Sequence, residues 1–150
     1  MKTRMRRGRR GFTLIELLVV LVILALLAGL VLPRFLARGE DAKVKAAVTQ
    51  IGNFKQALQL YTLDNGEAPS PQQGLEALIV EPTSSPRPRE WKGPYLQDTT
   101  TIPLDPWGNP YVYQAPGPNG EDYFVASLGK DGREQGTGPD ADLTSSQSQQ

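Results

Sequence analysis

The chain has 150 residues, 39% of them hydrophobic, with 15 Gly and 13 Pro; this fits one loop-rich folding unit with appendages and excludes two well-cored domains, a continuous coiled coil or a collagen-like repeat. Cysteine and histidine are absent, which removes disulfides, thiolate zinc sites, imidazole-assisted nucleophiles and histidine-ligated haem, and leaves carboxylate chemistry, hard metals and functions without catalysis. The formal net charge is zero, yet six of the 16 cationic residues lie in the first ten positions with no acid among them, so the remaining ten face all 16 acidic residues.

That basic leader is Lys2, Arg4, Arg6, Arg7, Arg9 and Arg10. A basic ten-mer can be a nucleic-acid arm, but placed directly before an apolar run it reads as the cytoplasmic anchor of a membrane segment, and no nucleic-acid partner is expected. Residues 17–32, LLVVLVILALLAGLVL, carry no charge. Counted from Phe12, the apolar stretch is long enough, at about 1.5 Å per residue, to cross roughly 30 Å of hydrocarbon. Apolar residues cover every side of this helix, which argues against an interfacial amphipathic helix. A secretory signal peptide would have a shorter apolar region and a small-x-small cleavage pattern, and none follows Leu32. Glu16 is the anomaly. It is tolerated near the headgroups in the first helical turn, where the helix dipole favours an anion. The functional alternative is an ion pair with a cation from a neighbouring chain.

Gly11 and the residues after it read GFTLIELL. With the basic leader, this resembles the class III signal of the type IV pilin and pseudopilin superfamily. The resemblance implies that a prepilin peptidase cuts after Gly11 and methylates the new amino terminus at Phe12. It also implies that the Phe12 ammonium of one subunit pairs with the Glu16 carboxylate of another in a helical filament. Cleavage removes the anchoring charges and creates a cation four positions before Glu16. A buried pair of this kind fixes register more than it adds stability.

Pro33 closes the apolar run, and a helix break in the form of a kink or local melting is expected there, with the helix continuing beyond it. Beyond it Val44, Val48, Ile51, Phe54, Leu58 and Tyr61 recur at helical spacing, so the helix resumes with one face buried and ends near Asp64, before Asn65 and Gly66. Ser70-Pro71-Gln72-Gln73 has the form of a capping box opening a helix of two to three turns, with Leu75, Leu78 and Ile79 inward. Residues 81–93 read as loop, pinned at the far end by Trp91 and Tyr95. Residues 111–114 and 123–126 carry strand formers around a Pro-Gly-Pro-Asn-Gly turn, a two-stranded antiparallel hairpin. The polar end, residues 144–150, is expected to be a disordered tail.

Residues 127–143, SLGKDGREQGTGPDADL, combine flexible glycines with Asp131, Asp140 and Asp142. Hard oxygens on a flexible loop suit Ca²⁺, although the acids do not fall at the offsets of an EF-hand. A solvated Gly-Asp turn is the alternative, and an open loop offers no apolar pocket for carboxylate catalysis. The segments QQGLEAL, WKGPYL, DPWGNPYVY and this loop resemble the successive signatures of the major pseudopilins of type II secretion systems. The resemblance implies Ca²⁺ bound by the side chains of Asp131, Asp140 and Asp142 and the carbonyls of Leu128 and Arg133. Family members often have paired glycines where this chain has Gln135-Gly136.

The expected fold is therefore α+β and pilin-like: a cleaved leader (1–11), a transmembrane and assembly helix (12–33), its amphipathic second half (34–65), and a globular domain (66–143) with a short helix, a small antiparallel sheet and a calcium-binding loop. The implied protein is a non-enzymatic subunit. It sits first in the inner membrane with its N-terminus cytoplasmic and is bathed in lipid. It then packs with copies of itself into a periplasmic pseudopilus that drives folded proteins across the outer membrane. Implied partners are the prepilin peptidase, the minor pseudopilins and the inner-membrane platform. The rivals are a minor pseudopilin, a type IV pilin, and a membrane-anchored binding or hydrolytic domain; the last leaves Glu16 beside GFTLIELL unexplained.

Overall fold

The structure is a computed structural model and describes residues 11–97 and 99–146; for residues 30–37 and Pro139 only the backbone path is described. The basic leader and residues 147–150 of the expected tail lie outside the described residues. One long helix, α1 (Leu14–Asn65), is followed by a 3₁₀ turn (Leu75–Leu78), strands β1 (Val112–Gln114) and β2 (Phe124–Ser127), a second 3₁₀ turn (Gly138–Asp140) and strand β3 (Leu143–Thr144).

Helix α1 starts because Thr13 caps it. The Thr13 hydroxyl accepts the Glu16 N–H at 3.3 Å, and the Thr13 carbonyl accepts the Leu17 N–H at 3.2 Å. The helix runs through Pro33 without interruption, which corrects the expected local melting. A proline removes one N–H from the ladder, but its φ of about −65° is helical, so the neighbouring bonds carry the element onward. The helix ends at Asn65, one residue past the expected stop.

The chain divides between Gly39 and Glu40 into two compact units. In the first, every described side chain from Gly11 to Gly29 is exposed, including Leu14, Ile15, Leu26 and the other large apolar residues of the run. Among the described residues no helix is long and apolar enough to cross a membrane. The expected span, residues 12–33, includes four positions whose side chains are outside the description.

The second unit is built around the buried face of α1. Ile51, Phe54, Leu58 and Tyr61 are almost fully buried, as the periodicity predicts. Val48 is 42% exposed, and Ala47, fully buried, takes its place. The stripe 47, 51, 54, 58, 61 keeps helical spacing, and a methyl group at its thin end lets the covering chain approach closely. Leu75, Ala77, Leu78, Leu96, Tyr111 and Val125 complete the core. Tyr111 meets Phe54 edge-on at 5.0 Å between ring centroids.

The capping box at Ser70 forms. The Gln73 carboxamide accepts the Ser70 N–H at 2.9 Å, and the Ser70 hydroxyl faces the Gln73 N–H at 3.4 Å. No two-turn helix follows, because Gly74 has φ of 62°, which an α-helix does not admit, and the chain makes only the 3₁₀ turn. The loop after it is pinned as expected. The Trp91 indole N–H donates to the Ala77 carbonyl (2.9 Å), and the Tyr95 ring meets Tyr61 edge-on at 5.5 Å. Buried Asn65 holds the same loop from the helix end, accepting the Glu90 N–H at 3.0 Å.

The sheet is antiparallel in the order β1-β2-β3, with Val112 opposite Ala126 and Ser127 opposite Leu143. The hairpin was legible in the sequence; β3 was not, and it falls partly where the tail was expected. Ser145 extends this edge: its N–H donates to the Val125 carbonyl (2.8 Å) and its hydroxyl accepts the Val125 N–H (3.1 Å). The ordered chain therefore continues past Thr144, because backbone pairing with β2 rewards residues whose side chains carry no strand signal.

Burial raises the phenol pKa of all five tyrosines, Tyr61, Tyr95, Tyr111, Tyr113 and Tyr123, with Tyr111 pushed up to about 12. A raised folded pKa contributes stability below the unfolded value of about 10, and that contribution is lost as pH rises through the folded value. A spectrophotometric alkaline titration is expected to show less tyrosinate at the ordinary phenol pKa than five free phenols would give, then a steep rise as the domain opens. Five independent titrations near pH 10 would contradict this packing.

Candidate functional site

Two candidate regions emerge: the acidic loop between β2 and β3, and the exposed N-terminal turn of α1. The loop's stem is closed by the pairing of Ser127 with Leu143. Its path is tight. A side chain at Gly129 would lie 2.9–3.0 Å from the backbone of Asp140 and Ala141, and one at Gly136 would collide with the Asp140 carbonyl. The two limbs therefore touch backbone to backbone.

Within the loop, Asp131 is exposed and accepts the Arg133 N–H at 3.1 Å in a local turn. Asp142 accepts the Gln135 N–H through Oδ2 at 2.9 Å, while its Oδ1 is buried with no hydrogen-bond partner. Asp140 is half-buried at the end of the second 3₁₀ turn. Among the described residues no group of three acidic side chains is gathered to hold a metal. The structure thus joins Asp142 to the opposite limb but does not bring Asp131, Asp140 and Asp142 into one cluster. The carbonyl assignments at Leu128 and Arg133 rest on the resemblance alone. The fit to a cation lies in the donor chemistry, hard oxygens throughout, and in the Asp142 oxygen, which is removed from water and unsatisfied.

Gln135 occupies the position where paired glycines were noted, and it takes the left-handed backbone with φ of 68°. The chain path of a glycine is kept without the glycine. That conformation costs a non-glycine residue about 1–2 kcal/mol, partly offset by the greater unfolded-state entropy of glycine. Gln135→Gly is expected to stabilise the domain by about 1 kcal/mol, read as a raised urea midpoint; an unchanged or lowered midpoint would show that Gln135 makes a compensating contact.

The loop rests on the turn at residues 105–109. Asp105, 5% exposed, accepts the Trp107 N–H (3.0 Å) and the Asn109 N–H (2.8 Å) through Oδ1 and the Ser127 hydroxyl (2.7 Å) through Oδ2. Asn109 Nδ2 donates to the Gly129 carbonyl at 2.8 Å, and Ser127 Oγ accepts the Gly129 N–H at 3.3 Å. Trp107 donates its indole N–H to Glu40 Oε2 at 3.0 Å. Glu40 Oε1 lies 3.9 Å from Lys130 and 3.6 Å from Lys43. The indole bond, then the two lysines, hold the Glu40 carboxyl below its usual pKa.

These supporting residues carried weak sequence signals. Asp-Pro followed by Gly-Asn-Pro is a turn signature in which an aspartate caps its own backbone, so Asp105 was findable. The pairing of Glu40 with Trp107, 67 positions apart, had no local signal.

Comparison with known proteins settles what this arrangement belongs to. The family described as "Type II secretion system (T2SS), protein G" matches residues 34–146. The chain belongs to this family. The "Prokaryotic N-terminal methylation motif" matches residues 6–32. The chain is 50% identical over 139 residues to the type II secretion system core protein G of Pseudomonas aeruginosa, covering 92% of this chain and 95% of that protein. It is 46% identical over 134 residues to its namesake in Vibrio cholerae, covering 89% and 88%. The crystal structure of the major pseudopilin from the type 2 secretion system of enterohaemorrhagic Escherichia coli aligns with a TM-score of 0.60 at 30% identity, over 73% of this chain and 91% of that one.

In this protein G family member the methylation motif spans Gly11, Phe12 and Glu16. Phe12 is 78% exposed, and Glu16 stands exposed in the first turn of α1. Among the described residues nothing pairs with the Glu16 carboxylate.

Proposed function

We propose that this type II secretion pseudopilin is made as a single-pass inner-membrane precursor and cut after Gly11 by a prepilin peptidase. It is then methylated at Phe12 and packed with copies of itself into a periplasmic pseudopilus. Its role is structural. The polymer, capped by minor pseudopilins and raised on an inner-membrane platform, helps move folded proteins across the outer membrane. The observation that carries the reading is the exposed first turn of α1. A solitary carboxylate, Glu16, stands there among exposed Phe12, Leu14, Ile15, Leu17 and Leu18, an arrangement that only lipid or neighbouring helices would cover. Co-expression with a prepilin peptidase followed by intact-mass measurement tests it. Loss of residues 1–11 with one added methyl group is the expected result, and retention of the leader would refute the processing step.

The acidic loop is the calcium site of this reading, with Asp131, Asp140 and Asp142 as side-chain ligands and Leu128 and Arg133 as carbonyl ligands. Buried, unpaired Asp142 Oδ1 supports it. The ion would supply the positive charge that lets three acids share one loop, and the chain supplies the tight limb contact at Gly136. Since selective binding to the folded state raises the melting midpoint, the protein is expected to melt higher in millimolar calcium than in EGTA. Asp131→Ala is expected to melt like wild type in EGTA and to lose most of the calcium increment. Identical wild-type melts in the two buffers would return the loop to a solvated turn.

A further inference from the structure

We propose that Glu40, through Trp107 and Lys130, is a positioning residue that couples cation occupancy of the acidic loop to the start of the helix in the soluble unit; this rests on the calcium reading above. Two routes leave Glu40 and end on adjacent residues of the loop. One passes from Oε2 to the Trp107 indole N–H, through the turn that Asp105 organises, and reaches Gly129, whose N–H and carbonyl are held by Ser127 and Asn109. The other is the direct approach of Oε1 to the Lys130 ammonium. Gly129 and Lys130 immediately precede Asp131, and Gly129 also abuts the backbone of Asp140 and Ala141. A shift of this limb on cation binding would therefore be felt at Trp107 and at Lys130, and Glu40 is hydrogen-bonded to the first and ion-paired with the second.

Glu40 is also the first residue of the second compact unit. Its side chain has one further ion pair, to Lys43 one turn along the same helix, so its side-chain hydrogen bond and ion pair beyond α1 go to the turn and the loop. Coupling is reciprocal: if Glu40 favours the cation-competent loop, the cation must favour the engaged state of Glu40 by the same factor.

Two measurements on the full-length chain in detergent test this, calcium titration by calorimetry and amide exchange over residues 40–45. Wild type is expected to bind calcium and to exchange more slowly at 40–45 when loaded. Glu40→Ala is expected to weaken calcium binding about fivefold or more and to abolish that calcium-dependent protection. Glu40→Gln keeps an acceptor for Trp107 and is expected to recover most of the affinity; a Gln variant as weak as the Ala variant would assign the coupling to Lys130. A melt in EGTA establishes that each variant is folded, and should Glu40→Ala fail that control, Glu40→Gln and Trp107→Phe carry the comparison. Wild-type affinity in Glu40→Ala, or exchange at 40–45 that ignores calcium, overturns the inference alone. A wild-type chain that gives no calcium isotherm overturns the calcium reading and the inference with it.

Discussion

Replacing Asp105 by alanine is expected to lower the stability of the second unit by roughly 2–4 kcal/mol, because one buried and two part-buried donors lose their acceptor. The donors are the Trp107 and Asn109 N–H groups and the Ser127 hydroxyl, at 2.7–3.0 Å. The cost is largest at Ser127, which is buried together with Asp105, and smaller at the two part-buried backbone donors. Against a total of about 5–15 kcal/mol for an ordinary domain, a loss of this size leaves the fold marginal. Asp105→Asn keeps an acceptor for the two backbone groups and exchanges only the contact to Ser127, so it should cost about 1–2 kcal/mol. Urea unfolding followed by tryptophan fluorescence reads both. Equal midpoints for wild type and Asp105→Ala would mean that the 105–109 turn holds itself without the carboxylate.

Glu16→Ala is expected to leave insertion and cleavage intact while filaments fail to form. A carboxylate at mid-membrane costs on the order of 2.5–3.5 kcal/mol, whereas the helix dipole offsets only about 0.3–1 kcal/mol in the first turn. Near the headgroups the two terms nearly balance. In the proposed filament, packing among apolar helices would remove hydration and leave the dipole too weak, so a cation would have to supply the difference. The Phe12 ammonium that the proposed cleavage would create is the candidate. Mass spectrometry of the processed chain, together with electron microscopy of sheared filaments, separates the two effects. Wild-type filament yield from processed Glu16→Ala would remove Glu16 from assembly.

The ends of α1, the capping box at Ser70 and the β1-β2 hairpin were legible because each depends on contacts within a few residues. Gly66, after Asn65, ends the helix in the left-handed conformation with φ of 88°, and the Ser70–Gln73 box forms even though Gly74 prevents the helix it would normally open. The local melting expected at Pro33 does not occur, because the loss of one hydrogen bond leaves the rest of the helical ladder in place. The swap of Val48 for Ala47 has a different cause: both lie near the same helical face, and only the chain folded over it decides which is covered. Strand β3 and Ser145 were missed because their pairing partner is the edge of β2, distant in sequence, and Ser145 has no local signal for the bonds it makes to Val125.

By itself the sequence determined the basic leader, the GFTLIELL motif, the long helix and the set of acids available to a cation, since these are fixed by composition and short-range spacing. Tertiary structure alone decided that Asp142 turns one oxygen into a buried, unpaired position, that Asp131 stays exposed, and that Glu40 meets Trp107 across 67 positions. The physical reason is burial: whether a polar group needs a partner, and which partner is within reach, depends on which segments exclude water from it, and that is set only when the chain closes on itself.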